Sequence, residues 1–101
     1  MPQKEKEDLS EGYKIFETDE FLKRLTKFSA NDKKFIETKL KNLIYDQLRL
    51  EPHFGNNIKK LRSYVPETWR FRIGKYRLFY SINENDKIVF ILTVEFRKDA
   101  Y

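Results

Sequence analysis

Residues 69–80 read WRFRIGKYRLFY, and this stretch predicts two β-strands joined by a two-residue turn. Gly74-Lys75 fits a type II′ turn, because glycine supplies the positive φ that the first turn position needs. A two-residue loop fixes the register, so Arg72 is expected opposite Arg77. Side chains alternate between the two faces of a strand. One face is therefore a predicted core, formed by Trp69, Phe71, Ile73, Tyr76, Leu78 and Tyr80.

The opposite face of this hairpin is predicted to be cationic. It carries Arg70, Arg72, Arg77 and Phe79. Like charges directly opposite each other destabilise a sheet, so the arrangement indicates an anionic partner, with nucleic acid the first candidate. Residues 59–77 contain seven Lys or Arg residues against Glu67 alone, whereas the whole chain has a net charge of +5. Such a concentration of positive charge is typical of a phosphate-binding surface, although solvated surface lysines are also common.

The composition excludes several kinds of site. The 101 residues are enough for one domain with its own core. The chain has no cysteine and a single histidine, His53, which argues against a metal site and against a Ser-His-Asp triad, and no cofactor is expected. There is no long apolar run and no apolar segment of a secretory signal near the N-terminus. A cytoplasmic protein without membrane association is the plain interpretation.

The pattern along the chain predicts strand, two helices and four strands. Residues 1–12 are charged and expected to form a flexible tail, and residues 13–101 a single domain. A strand over 13–18 is followed by a short helix with Asp19 as N-cap. A capping box at Ser29–Asp32 precedes a second helix over about 32–50. Its apolar stripe consists of Ile36, Leu40, Leu43, Ile44 and Leu48.

The second half of the chain has strand patterns over residues 58–61, 69–73, 76–82 and 87–96. Residues 88–92 lack alternation, which predicts a central strand buried on both faces. The predicted class is α+β. An N-terminal strand and an antiparallel two-helix hairpin accompany a mainly antiparallel four- to five-stranded sheet, with the hairpin packed on one face.

Residues near the C-terminus extend the set that could do chemistry. Arg97 and Lys98 follow the last strand and Tyr101 ends the chain. Strand pairing makes convergence of Arg97 with Arg77 plausible. Cleavage of RNA by its 2′-OH needs charge stabilisation at phosphorus and proton transfer at both ends, which arginines and a tyrosine with a lowered pKa can supply. The alternatives are a disordered Tyr101, an Arg97 on an exposed rim, and a Glu95 that forms a salt bridge rather than acting as a base.

The combined pattern LR…WRFRIGKYRLFY…FRKDAY, from Leu61 to Tyr101, resembles the RelE/ParE toxin superfamily of bacterial and archaeal toxin–antitoxin systems. The resemblance covers residues 13–101 and implies a microbial-ribonuclease-like fold. It also implies a type II toxin that is a ribosome-dependent endoribonuclease, a hydrolase that cleaves mRNA in the ribosomal A site and so inhibits translation. The implied partners are a cognate antitoxin, the ribosome and mRNA.

The resemblance implies a role for each matching residue. Arg77 would stabilise the transition-state phosphate, Arg97 would act as phosphate clamp or general acid, and Tyr101 as base or stacking platform. The expected RNA-binding residues are Arg70, Arg72, Lys59, Lys60, Arg62 and Lys98. Because Arg77 points away from the predicted core, its replacement by alanine is expected to abolish toxicity and leave the fold intact.

Phe96 is a departure from the pattern of many relatives, which have histidine immediately before the C-terminal arginine. A histidine-dependent mechanism is therefore excluded. Two other functions share the fold: a ParE-like inhibitor of DNA gyrase, and a non-catalytic binding protein. Retention of Arg77, Arg97 and Tyr101 together favours the nuclease, and Phe96 favours the non-catalytic alternative.

Overall fold

The computed structural model describes residues 12–99. In chain order its elements are β1 (Lys14–Glu17), α1 (Asp19–Leu25), α2 (Ala30–Lys39), a π-helical turn (Leu40–Ile44), α3 (Tyr45–Leu50), β2 (Ile58–Lys60), β3 (Trp69–Ile73), β4 (Tyr76–Asn83), β5 (Ile88–Phe96) and a 3₁₀ turn (Arg97–Asp99). The segments α2, π-helical turn and α3 follow one another directly and form one long helix over residues 30–50. The predicted order of strand, two helices and four strands is confirmed.

The five strands form one sheet in the order β1-β5-β4-β3-β2. β1 pairs with β5 in parallel, and every other pair is antiparallel. The predicted hairpin register is confirmed, with Arg72 opposite Arg77 and Ile73 opposite Tyr76. Gly74 has a φ of 57°, as the first position of the predicted turn requires. The α+β class with helices on the sheet is therefore the observed fold.

The core lies between the helices and one face of this sheet. All six predicted hairpin core residues are buried, and they pack with Phe21 and Leu25 of α1 and with residues of the long helix. A bulge leaves Leu92 unpaired, because Phe79 pairs with Thr93 and Tyr80 with Ile91. This one-residue shift lets Val94 and Ile91 both reach the core, although they are three positions apart. The opposite side of the sheet is called the outer face below.

The helices differ from the prediction in one N-cap, in the residue at which the second helix begins, and in the burial of one residue. Thr18, one residue before Asp19, is the N-cap of α1, because its Oγ1 accepts from the Phe21 N–H. The Ser29 hydroxyl accepts from the Asp32 N–H as predicted, but the helix already begins at Ala30. Leu43 is 54% exposed, so it does not belong to the buried stripe.

The π-helical turn explains which members of the stripe are buried. Ile36, Leu40, Ile44 and Leu48 are four residues apart and all are buried. In a regular α-helix residues four apart drift by roughly 40° per step, because one turn takes 3.6 residues. The wider turn at Leu40–Ile44 reduces this drift, so the four side chains stay over the sheet.

The strand that is buried on both faces is β4, not β5. Residues 76–80 of β4 are all buried, whereas β5 alternates between buried and partly exposed residues. β5 carries apolar side chains on both faces, but only Val89, Ile91 and Val94, which belong to the core, are fully buried. The prediction of two buried faces for residues 88–92 was therefore wrong.

Candidate RNA-binding site

The end of the sheet at the Gly74-Lys75 turn gathers exposed cations. The Arg97 backbone N–H donates to the Lys75 carbonyl at 2.7 Å, which brings the C-terminal end of β5 beside the hairpin turn. A depression of about 340 Å³ lies there, and its lining residues are Lys75, Phe96, Arg97 and Lys98. The lysines and Arg97 are exposed. We call Lys75, Arg97 and Lys98 the cationic end.

Arg77 is held differently from the prediction, which placed its side chain on an accessible cationic face. It is only 6% exposed. Its Nη1 donates to the carbonyl oxygens of Gly74 at 2.9 Å and of Tyr76 at 2.8 Å. Hydrogen bonds from a charged donor are stronger than neutral ones, so Arg77 stabilises the turn that carries the cationic end. The prediction that its replacement would leave the fold intact no longer follows.

The predicted convergence of Arg77 with Arg97 concerns two neighbouring positions of the sheet end, and among the described residues no contact between the two side chains supports it. Arg77 pairs with Glu95 across β4 and β5, and Arg97 follows two positions later. Phe79, which was predicted among the arginines, is 8% exposed and is also buried. The accessible part of the predicted arginine face is therefore Arg72, which is exposed, and Arg70, which is partly exposed.

The predicted lysines separate onto two faces. Lys59 pairs with Arg70 and shares the outer face with it. Lys60 pairs with Trp69, a residue of the core face, and its Nζ lies 5.8 Å from the centre of the indole ring. Lys60 also forms a salt bridge with Glu67. Lys60 therefore does not belong to the outer face, because strand alternation turns it toward the opposite side. Arg62 is exposed in the loop after β2.

A third group of cations, which the sequence did not single out, lies on α1 and in the turn that follows it. A groove of about 470 Å³ lies between α1 and β5, and its lining includes Lys23, Arg24 and Lys27. Arg24 donates from Nε and Nη2 to Glu95 Oε1 at 3.0 and 2.8 Å, which confirms the predicted salt bridge of Glu95. The signal in the sequence was the i, i+1, i+4 spacing of the three cations opposite Phe21 and Leu25.

The Glu95 carboxylate stays ionised near neutral pH. Its partial burial alone would raise the pKa, but hydrogen bonds from Arg24 and from the Thr93 hydroxyl outweigh burial and lower it. A carboxylate with a lowered pKa is a weak proton acceptor. Glu95 is therefore poorly suited to act as a general base.

Four tyrosines in the described part of the chain have a raised pKa and are therefore not suited to act as a base. Burial and a hydrogen bond to Asp32 raise the pKa of Tyr76 to about 12. Burial also raises the pKa of Tyr45, Tyr80 and Tyr13, and the hydroxyls of Tyr45 and Tyr80 donate to Glu17 and the Pro52 carbonyl. The predicted base, Tyr101, lies outside the described residues.

Phe96 belongs to an aromatic cluster on the helix side of the sheet. Its ring stacks on Tyr76 with 5.2 Å between centres, and both rings meet Phe28 edge-on. Phe96 pairs with Tyr76 in the sheet, so its side chain shares the core face and not the face of Arg77. Within residues 12–99 no group of three or more His, Asp or Glu side chains could hold a metal ion, and no helix is long and apolar enough to cross a membrane.

The model of the family described as ParE toxin of type II toxin–antitoxin system, parDE, matches residues 17–101. This chain belongs to the RelE/ParE superfamily of type II toxins. No curated protein matches this toxin by sequence. Solved structures of RelE proteins are similar to it in fold.

Two of these structures come from toxin–antitoxin complexes. A chain of the archaeal RelE–RelB complex from Pyrococcus horikoshii is 25% identical, with a TM-score of 0.64, over 87% of this toxin and 98% of that chain. A chain of the RelBE2 complex from Mycobacterium tuberculosis is 28% identical, with a TM-score of 0.66, over 85% and 99%. A mutant of E. coli RelE in the free state is 22% identical over 88% and 87%, with a TM-score of 0.62, and shows the shared fold alone.

Proposed function

We propose that this toxin is an mRNA interferase, a ribosome-dependent endoribonuclease that cleaves mRNA in the ribosomal A site and is neutralised by a cognate antitoxin. The observation that carries the proposal is the cationic end. Three exposed cations surround one depression there, and no carboxylate lines it among the described residues. Such a surface is complementary to the phosphate backbone of RNA. The likeness to chains of toxin–antitoxin complexes supports the antitoxin partner.

The proposed reaction is an internal transfer at phosphorus. The 2′-oxygen attacks the adjacent phosphorus while its proton passes to a base, and the bond from phosphorus to the 5′-oxygen breaks as that oxygen takes up a proton. The products are a 2′,3′-cyclic phosphate and a free 5′-hydroxyl. Negative charge develops on the phosphorane oxygens, where Arg97 and Lys75 would stabilise it. We assign Arg97 as a phosphate clamp rather than a general acid, because arginine does not give up its proton at neutral pH. Tyr101 remains the proposed base or stacking platform.

The remaining sequence-predicted residues have supporting roles in this proposal. Arg72, Arg70 and Lys59 line the outer face next to the cationic end and would position the backbone. Arg62, in the loop after β2, and Lys98, after β5, would extend this contact with the RNA backbone. Arg77 would act by holding the turn, since its Nη1 bonds to two backbone carbonyls there. Glu95, which Arg24 holds by hydrogen bonds, would fix the end of β5 beside Arg77.

The test is primer extension on a defined mRNA in a translating extract. The wild-type toxin is compared with an Arg72→Ala, Arg97→Ala variant, which removes two exposed cations and leaves Arg77 in place. A Lys34→Ala, Lys41→Ala variant is the matched control, because both lysines are exposed on the long helix. Cuts in register with the reading frame are expected for the wild type and the control. Loss of one phosphate-stabilising group costs roughly a hundredfold in rate, so the test variant should give almost no cuts.

Inhibition of DNA gyrase is the second candidate, and the match to the ParE family model favours it. Gyrase supercoiling is measured with the same three proteins. Intact mRNA with active translation, together with arrested supercoiling, would reject the nuclease in favour of this alternative. A protein without effect in either assay would be a non-catalytic relative.

A further inference from the structure

We infer that Tyr64 forms a base-stacking subsite for the RNA, at the opposite end of β3 from the cationic end. This inference rests on the proposed function. Tyr64 lies in the loop between β2 and β3, and half of its side chain is exposed. Its neighbour Val65 is 96% exposed. A large aromatic side chain exposed next to cations is the composition with which proteins bind single-stranded nucleic acid.

The loop that carries Tyr64 is fixed at its base. The Leu61 N–H donates to the Thr68 carbonyl at 2.9 Å, and the Thr68 hydroxyl donates to the Pro66 carbonyl at 3.0 Å. Leu61 and Thr68 are both buried. The Tyr64 ring is therefore exposed on a braced loop, which lowers the entropy lost when a base stacks on it.

The positive charge around the loop favours an anionic partner such as RNA over a neutral one. Glu67 is the only acid in residues 59–77, and Lys60 already neutralises it in a salt bridge. Arg62 is exposed two residues before Tyr64, and Lys59 lies beside Arg70 on the outer face. Exposed or partly exposed cations therefore occur at the cationic end, at Arg72 and Arg70 on β3, and at Arg62 in the loop.

The dimensions of the sheet set the length of RNA that can reach both places. β3 separates the turn at Gly74 from the loop that ends at Thr68, and its five residues span roughly 17 Å. A stacked strand advances roughly 3.4 Å per nucleotide. A dinucleotide is therefore too short to contact both the cationic end and Tyr64, and an RNA of about eight nucleotides is long enough.

The experiment is fluorescence anisotropy of a 5′-labelled eight-nucleotide single-stranded RNA and of a labelled dinucleotide, at low salt. We compare wild type with Tyr64→Ala, Tyr64→Phe and Tyr64→Leu. Phe16→Ala is the matched control: Phe16 is 55% exposed, close to the 50% of Tyr64, and lies on β1 at the other edge of the sheet. Loss of one base–aromatic stack should weaken binding of the octanucleotide by about tenfold in the alanine and leucine variants. The phenylalanine variant and the control should bind as wild type does, and dinucleotide binding should not change.

The outcomes separate this inference from the proposed function. If wild type binds the octanucleotide and all Tyr64 variants bind it equally, the subsite is rejected. Weak binding by Tyr64→Phe as well as by Tyr64→Ala would reject stacking, because phenylalanine keeps the ring. If the wild type and Arg72→Ala, Arg97→Ala proteins bind equally poorly, the proposed RNA-binding function itself fails. Leucine keeps apolar bulk at position 64 but has no ring. Weak binding by Tyr64→Leu therefore indicates lost stacking, whereas weak binding by Tyr64→Ala alone indicates a loop that no longer folds.

Discussion

Arg24 of α1 holds Glu95 of β5 by two hydrogen bonds to one carboxylate oxygen, across 71 residues of sequence. Each side chain is about a quarter exposed, so water screens the pair only in part. The guanidinium of Arg24 also lies 4.7 Å from the centre of the Phe28 ring. The pair therefore connects the first helix to the strand position that faces Arg77.

We expect a double-mutant cycle of Arg24→Met and Glu95→Gln to give a coupling free energy of about 1 kcal/mol at pH 7. The measurement is urea unfolding of the four proteins. Since the pKa of Glu95 is lowered in the folded state, the coupling is present above its ordinary value of 4.5 and is lost as pH falls through the folded value. The exposed pair Asp46–Arg49 is the control and should give almost no coupling. Equal coupling for both pairs would contradict this account.

Arg77 and Arg72 face each other in the sheet but should respond differently to replacement. Arg77→Ala removes the hydrogen bonds to the Gly74 and Tyr76 carbonyls and should destabilise the protein by about 1–3 kcal/mol. Arg72→Ala removes an exposed side chain and should change the free energy of unfolding by less than about 0.5 kcal/mol. Urea unfolding measures both. Growth after induction is scored alongside, and Arg72→Ala should lower toxicity at unchanged soluble protein level. A stable Arg77→Ala protein would restore the original prediction.

His53 should make stability depend on pH near neutrality. Its Nδ1 and Nε2 lie 2.8 and 2.6 Å from Glu51 and Glu84. Partial burial opposes protonation, but both carboxylates outweigh it and raise the His53 pKa above 6.5. The contribution is therefore complete below about pH 6.5 and is lost as pH rises through the folded value.

The free energy of unfolding should accordingly fall between about pH 6 and pH 8 in the wild type, and His53→Asn should remove this fall. Urea unfolding at the two pH values measures it. At acidic pH the dependence of stability on pH has the opposite sign. Hydrogen bonds to His53 lower the pKa of Glu51 and Glu84, so their contribution is lost as pH falls through the folded values. If the free energy of unfolding of the wild type does not change between the two pH values, Glu51 and Glu84 do not stabilise the protonated form of His53.

Phe96→His should not create a catalytic histidine. Position 96 stacks on Tyr76 on the helix side of the sheet, so an imidazole there would share the aromatic cluster and not the face of Arg77. Replacing a stacked ring by a smaller polar one should cost about 1–2 kcal/mol of stability. Primer extension should show no gain in cleavage. A clear increase in cleavage by the histidine variant would mean that the strand end rearranges on RNA binding.

The sequence by itself determined the hairpin at residues 69–80, the element order and the core. These follow from local rules: a two-residue turn fixes register, and alternation assigns faces, so Trp69 and Arg72 could be placed on opposite sides without any structure. Tertiary structure decided which cations are accessible. Arg77 is buried and donates to the carbonyls of its own turn, and Lys60, on the core side of its strand, is paired with Glu67. Arg24 reaches Glu95 only because β1 and β5 pair in parallel and place α1 beside β5. The Arg24–Glu95 contact joins residues 71 positions apart in the chain, and periodicity carries no information about it.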